Sequence, residues 1–91
     1  MAISAAFEIS TMTQQHYDQV IKDLNAAGLG APEGRIYHTA SLMGSGMLIF
    51  DIWESEELLG KFAEGLIPIL VGAGVTPAEP RILQVHNTIT P

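Results

Sequence analysis

Residues 35–53 read RIYHTASLMGSGMLIFDIW. Two runs rich in β-branched, aromatic and aliphatic residues flank Met43-Gly44-Ser45-Gly46, which is the signature of a β-hairpin. The first run is Arg35 to Leu42. The second, Met47 to Trp53, is apolar on both faces: Met47, Ile49 and Trp53 share one side, and Leu48, Phe50 and Ile52 share the other. Successive side chains of a strand point to opposite faces. A strand of this kind must therefore be covered on both sides. One cover can come from the chain's own helices, and a second sheet is the simplest source of the other.

The flanking sequence supplies those helices. Ala2 to Ile9 alternates, with Ile3, Ala5, Phe7 and Ile9 on one face, and reads as a strand. Thr13 is placed as a helix N-cap, with Met12 and Tyr17 at the spacing of a hydrophobic staple. Tyr17, Val20, Ile21, Leu24 and Ala27 then keep helical spacing over Gln14 to Ala27, and Gly28 closes the helix. Leu29 to Gly34 is a loop. Ser55 caps a second helix whose first turn carries Glu56 and Glu57, favourable to its dipole. Leu58, Leu59, Phe62, Ala63 and Leu66 form its apolar face, and Pro68 is expected to kink it or to start a short further helix reaching about Val71. Thr76 to Pro80 is a connector and Arg81 to Ile89 a fourth strand. The order is βαββαβ in one α+β domain over residues 1–91. Right-handed crossovers then give a four-stranded antiparallel sheet in order 4-1-3-2, with both helices on one face.

Composition narrows the function classes. The chain is 47% hydrophobic and only 15% charged, with a net charge of −6. That is more apolar surface than a 91-residue core easily hides, which favours self-association as a homodimer. Lys22, Arg35, Lys61 and Arg81 are the only Lys or Arg residues. Scattered, they form no phosphate-binding track, so no nucleic acid partner is expected. No run approaches the roughly 18 apolar residues of a spanning helix, so no membrane partner is expected either. Met1-Ala2-Ile3-Ser4 carries no basic n-region, and the chain has no cysteine, so a cytoplasmic setting is the expectation.

His38, Asp51 and Trp53 are the main candidates for chemistry. If the hairpin turns on Gly44-Ser45, Met43 faces Gly46, His38 lies opposite Asp51 and Ile36 opposite Trp53. Directly opposed residues share a face with Cβ atoms ~5 Å apart. A carboxylate beside an imidazole can fix its tautomer and raise its basicity, which suits a general base. Trp53 would add an aromatic wall for a planar ligand, with Phe62 from the second helix as a further lining residue. The bland alternative is a buried structural hydrogen bond beside a core Trp. A three-residue turn would instead put Thr39 across from Asp51. Tyr37, on the other face, reads as an interface aromatic, and His16 as a solvated residue of the first helical turn. His86 and Asn87 fall on the fourth strand, three strand spacings or ~14 Å from the second, so His38 and His86 cannot share a metal. With no HxH, HxxxH or HxxE motif, no metal site is expected. Gly28-Leu29-Gly30 and Gly44-Ser45-Gly46 match neither a dinucleotide fingerprint nor a nucleophile elbow.

The strand order, Phe7-Glu8-Ile9 ahead of Met12 to Asp18, the Arg35-Ile36-Tyr37-His38 strand, and Asp51-Ile52-Trp53-Glu54-Ser55 running into a helix together resemble the dimeric α/β-barrel superfamily of ferredoxin-like proteins. This group includes the antibiotic-biosynthesis monooxygenase-like proteins. The resemblance covers nearly the whole chain. It implies a pocket in each subunit between sheet and helices, and a dimer formed through the sheets. Members include cofactor-free oxygenases, haem-degrading enzymes and isomerases, so the fold alone does not fix function. Haem-degrading members use an Asn in strand one, a Trp in strand three and a helical His. Trp53 matches the Trp, but Ala2 to Ile9 holds no Asn and Glu56 to Val71 no His. No cofactor is therefore expected. For the cofactor-free oxygenases, too, only Trp53 carries over. The first reading is a cofactor-independent oxygenase or isomerase acting on an aromatic or polyketide-like compound, with His38 as base, Asp51 as its orienter, and Trp53 and Phe62 as ligand-binding walls. The alternative is a non-catalytic, ligand-binding or stress-associated homodimer. A third, purely structural reading predicts no pocket, with Phe7, Leu58, Phe62 and Leu66 filling the space.

Overall fold

The computed structural model describes residues 1–91 as β1 (Ile3–Ile9), α1 (Gln14–Ala26), β2 (Arg35–Met43), β3 (Gly46–Trp53), α2 (Glu56–Gly72) and β4 (Arg81–Gln84). The strands form one antiparallel sheet in order β2-β3-β1-β4, the expected order read from the other edge. Ile3, Ala5 and Ile9 of β1 and Met47, Ile49 and Trp53 of β3 are buried, and they meet Val20 and Leu24 of α1 and Leu59, Phe62 and Leu70 of α2 in one core. The other face of the sheet carries no helix. Leu48, Phe50 and Ile52 of β3 lie there half-buried, beside exposed Tyr37 and Leu83.

The hairpin turns where its glycines predict. Gly44 has φ 59°, as the first central residue of a two-residue type II′ turn requires. Met43 pairs with Gly46 and His38 with Asp51. Further along, the expected register breaks. Arg35, not Ile36, faces Trp53, while Tyr37 faces Ile52, so Ile36 is an extra, unpaired residue in a β-bulge. A bulge of this kind offsets the alternation by one position.

Three other boundaries differ from expectation. β4 stops at Gln84 rather than Ile89, because Gln84 already faces Ile3, the first residue of β1. One more bond, Val85 N–H to the Ala2 carbonyl at 3.0 Å, ends the pairing. His86 and Asn87 thus lie beyond the strand. α2 runs unbroken through Pro68 to Gly72, with no separate second helix. Pro68 and Glu64 are both exposed, so the Glu64 carbonyl that loses its N–H partner faces water. His16 is more than a solvated residue. Its backbone N–H donates to Thr13 Oγ1 at 3.1 Å and its Nδ1 accepts from the Thr13 backbone N–H at 3.2 Å. It closes a capping box in the place usually held by Glu or Gln.

Gly46 is where the hairpin crosses the end of β1. A Cβ there would lie 2.5 Å from the Ile9 carbonyl oxygen and 2.6 Å from the Ser10 Cα, both backbone atoms that cannot turn aside. Gly60, in the exposed middle of α2, has nothing within 4 Å. Gly46→Ala is expected to lose about 1–3 kcal/mol from overpacking, whereas Gly60→Ala should gain about 0.5–1 kcal/mol by helix propensity. Urea denaturation of both variants against the parent checks the pair. An unchanged Gly46→Ala midpoint would contradict the close approach.

Candidate functional site

The buried face of β3 reads Met47, Ile49, Asp51, Trp53, so one acid interrupts an apolar row. Asp51 is only 4% exposed. A carboxylate so placed must find donors nearby. It has two. Trp53 Nε1–H donates to Asp51 Oδ2 at 3.2 Å, and His38 Nδ1 lies 2.6 Å from Asp51 Oδ1. Since a carboxylate only accepts, the proton of that second bond sits on His38 Nδ1. The remaining ring nitrogen, Nε2, is then the basic one in the neutral imidazole. It lies 2.7 Å from the Tyr17 hydroxyl, which donates to it. The Tyr17 and His38 rings are almost parallel, at 9°. A single hydrogen-bonded chain thus runs Trp53–Asp51–His38–Tyr17, from β3 across β2 to α1.

Tyr17 was legible in the sequence only as part of the staple that fixes the start of α1. Met12, at the staple spacing from it, is buried, and both line the same cavity. Burial pushes the Tyr17 hydroxyl above its ordinary pKa of 10.0; the Arg35 guanidinium pulls it back, and the carboxylates of Asp51 and Asp18 add to the rise. Tyr17 therefore stays a neutral phenol near pH 7 and can donate and accept.

Between sheet and helices lies a cavity of about 160 Å³. Its only ionisable wall residues are Tyr17, Arg35, His38 and Asp51, and the rest of the lining is apolar, supplied by both helices, β1, β3 and the segment around Pro77 to Pro80. The third reading, with this space packed solid, is thus corrected: Phe7, Phe62 and Leu66 line the cavity but do not fill it.

The four residues singled out from sequence take different places. His38, Asp51 and Phe62 are on the cavity wall. Trp53 is not. It is wholly buried one layer back, its indole 5.4 Å from the Phe62 ring, and it reaches the site only through its bond to Asp51. The expectation of a Trp wall failed because the pairing of Trp53 with β1 and β2 sets it under the N-terminal part of α2, where Phe62 covers it. His86 and Asn87 lie with Tyr37, Phe50 and Ile52 around a groove on the opposite face of the sheet. No three His, Cys, Asp or Glu side chains come together as a metal site would require, and no helix is long and apolar enough to cross a membrane.

Several solved structures share this architecture. A candidate antibiotic biosynthesis monooxygenase from Chloroflexus aurantiacus matches with a TM-score of 0.68 at 11% identity, over 99% of this chain and 98% of its own. SnoaB, a cofactor-independent oxygenase from Streptomyces nogalater, matches at 0.63 and 13% identity, over 97% and 94%. A candidate antibiotic biosynthesis monooxygenase from Deinococcus radiodurans matches at 0.61 and 15%, over 99% and 97%. No protein-family model matches the sequence, and no curated protein matches it. At these identities the likeness speaks to architecture: the chain has the ferredoxin-like fold of the antibiotic biosynthesis monooxygenase-like proteins.

Proposed function

We propose that this protein is a cofactor-independent oxygenase acting on an aromatic compound whose anion reacts with dioxygen. The observation that carries the reading is the Asp51–His38–Tyr17 chain opening into an apolar cavity between sheet and helices. A bound substrate gives its acidic proton to the Tyr17 oxygen as the Tyr17 proton passes to His38 Nε2. The high pKa of Tyr17 makes tyrosinate a poor resting state, so the two transfers run together and the proton ends on His38. The resulting imidazolium donates to Asp51, which is already in place to receive it. The apolar walls hold the aromatic body and exclude water from the anion. Dioxygen adds at an activated ring carbon of that anion; the C–H bond at that carbon and the O–O bond break as a C=O forms, the substrate loses four electrons to dioxygen, and the second oxygen leaves as water with the proton held on His38 and the proton from that carbon. SnoaB, which has this fold, is itself a cofactor-independent oxygenase, and its precedent supports the class of reaction.

The same proposal includes a homodimer formed through the open face of the sheet. The chain exposes 6006 Å², against about 5,200 Å² for a compact monomer of its mass. The excess is on the order of the ~800 Å² that each partner contributes to a standard interface. Tyr37 and Leu83, at 57% and 55% exposed, stand on that face beside Phe50 and Ile52. A second copy's sheet would cover them without disturbing the cavity on the other side.

Oxygen uptake over a series of phenols and hydroquinones of one to three rings tests the chemistry. His38→Asn, whose amide can still donate to Asp51 but cannot act as a base, should lower the rate on any substrate the parent oxidises by about 10²–10⁴-fold, the usual worth of a general base, with the fold kept by circular dichroism. A variant as active as the parent contradicts the assignment. Sedimentation equilibrium tests the assembly. The parent should behave as two copies of a 9.8 kDa chain, and Phe50→Glu as one. A parent that stays at one copy at all concentrations contradicts the dimer.

A further inference from the structure

Regular alternation from His38 would place Ile36 over the cavity and Arg35 on the open face. The bulge at Ile36 reverses this. Ile36 is 56% exposed, while Arg35 lies opposite Trp53 and lines the cavity. Bulges occur next to active sites, where the extra residue re-aims a side chain.

The re-aimed group is a cation without an anion. The chain's one ion pair within 4 Å is His38–Asp51, so Arg35 has no carboxylate partner. Its guanidinium donates one bond, to the Gly30 carbonyl at 3.3 Å, and lies over the Phe62 ring with its central carbon 5.7 Å from the centroid. A guanidinium carries five N–H donors in a rigid fork, so most of its capacity is unspent. Asp51, the only carboxylate on the same wall, does not come within 4 Å of it. A half-buried, always-charged donor in an otherwise apolar cavity is an anion site with a greasy surround. The volume limits what the anion is attached to. About 160 Å³ is close to the engineered cavity of ~150 Å³ that takes benzene.

We propose that Arg35 holds the oxyanion of a single-ring phenol or hydroquinone, the substrate class of this cavity. The inference rests on the reading of His38 as the base. Breaking the substrate O–H sends its proton through Tyr17 to His38 Nε2, and the phenolate oxygen left behind pairs with the Arg35 guanidinium. Arg35 is thus a substrate-touching residue whose charge stabilises the product of the proton transfer, while Phe62 packs against both the guanidinium and the ring.

The test uses 4-nitrophenol, whose phenolate is yellow, and the full chain. One equivalent per chain should bind, and at a fixed pH near neutrality a larger fraction should be phenolate when bound than when free. Arg35→Met should weaken binding of the phenolate by ten- to a hundredfold and remove the excess colour. Arg35→Lys, which keeps the charge, should restore part of both and separates loss of charge from loss of fold. A three-ring phenol should not compete. Unaltered phenolate binding by Arg35→Met overturns the anion site, and equal competition by the three-ring phenol overturns the size limit. His38→Asn, which keeps a donor for Asp51, separates this from the base assignment. Binding of ready-made phenolate needs no base, so it should persist in His38→Asn even though turnover is lost.

Discussion

Asp51 is a carboxylate set into the apolar side of a central strand, and it could not be there alone. An unpaired charge at that depth costs several kcal/mol or more. Two N–H groups, from His38 on the neighbouring strand and Trp53 two residues along its own, remove that cost. In doing so they fix two aromatic rings. Trp53 then supports Phe62 from below, and His38 is left with one tautomer whose Nε2 lone pair accepts from Tyr17. The orientation of the His38 and Trp53 rings follows from that buried acid. A polar network of this kind is stabilising only when complete, and no buried side-chain nitrogen or oxygen here lacks a partner.

The network joins three elements that the local sequence builds separately. The hairpin turn on Gly44-Ser45 sets His38 across from Asp51. The Thr13–His16 capping box and the Met12–Tyr17 staple set the start of α1, which brings the phenol to His38. The bulge at Ile36 adds Arg35. His38, Tyr17 and Arg35 therefore share one wall because a turn, a helix start and a strand irregularity each fall at a particular residue. A slip of one residue in the hairpin would send His38 to the open face and leave Asp51 buried without it.

Much of this was legible in the sequence because strong local signals carry it. The two-faced strand Met47 to Trp53, the glycines at the turn, and the caps at Thr13 and Ser55 lead to the sheet order and the His38–Asp51 pair. Other features lie outside the reach of local pattern. Nothing in Gly34-Arg35-Ile36-Tyr37 distinguishes a bulge from regular pairing, so the position of Arg35 was missed. Tyr17 sits among apolar helix positions and shows its hydroxyl's role only once α1 is docked on the sheet. Trp53 was rightly placed on the cavity side of the sheet, but which aromatic covers which depends on packing of α2, and Phe62 took the wall. β4 ends where β1 offers no further partner, a limit set by pairing rather than by the residues from Val85 to Ile89.

Asp51 holds His38 with Nδ1 protonated and Nε2 left as the acceptor. Two-bond ¹⁵N–¹H correlation spectra of the imidazole report the tautomer directly, with His38→Asn identifying the resonance. In the neutral form, His38 should show a protonated Nδ1 and an unprotonated Nε2, and Asp51→Asn should disturb that preference. A neutral His38 with its proton on Nε2 would mean that the carboxylate does not hold the ring, and would contradict the base, the relay and the chain that joins them.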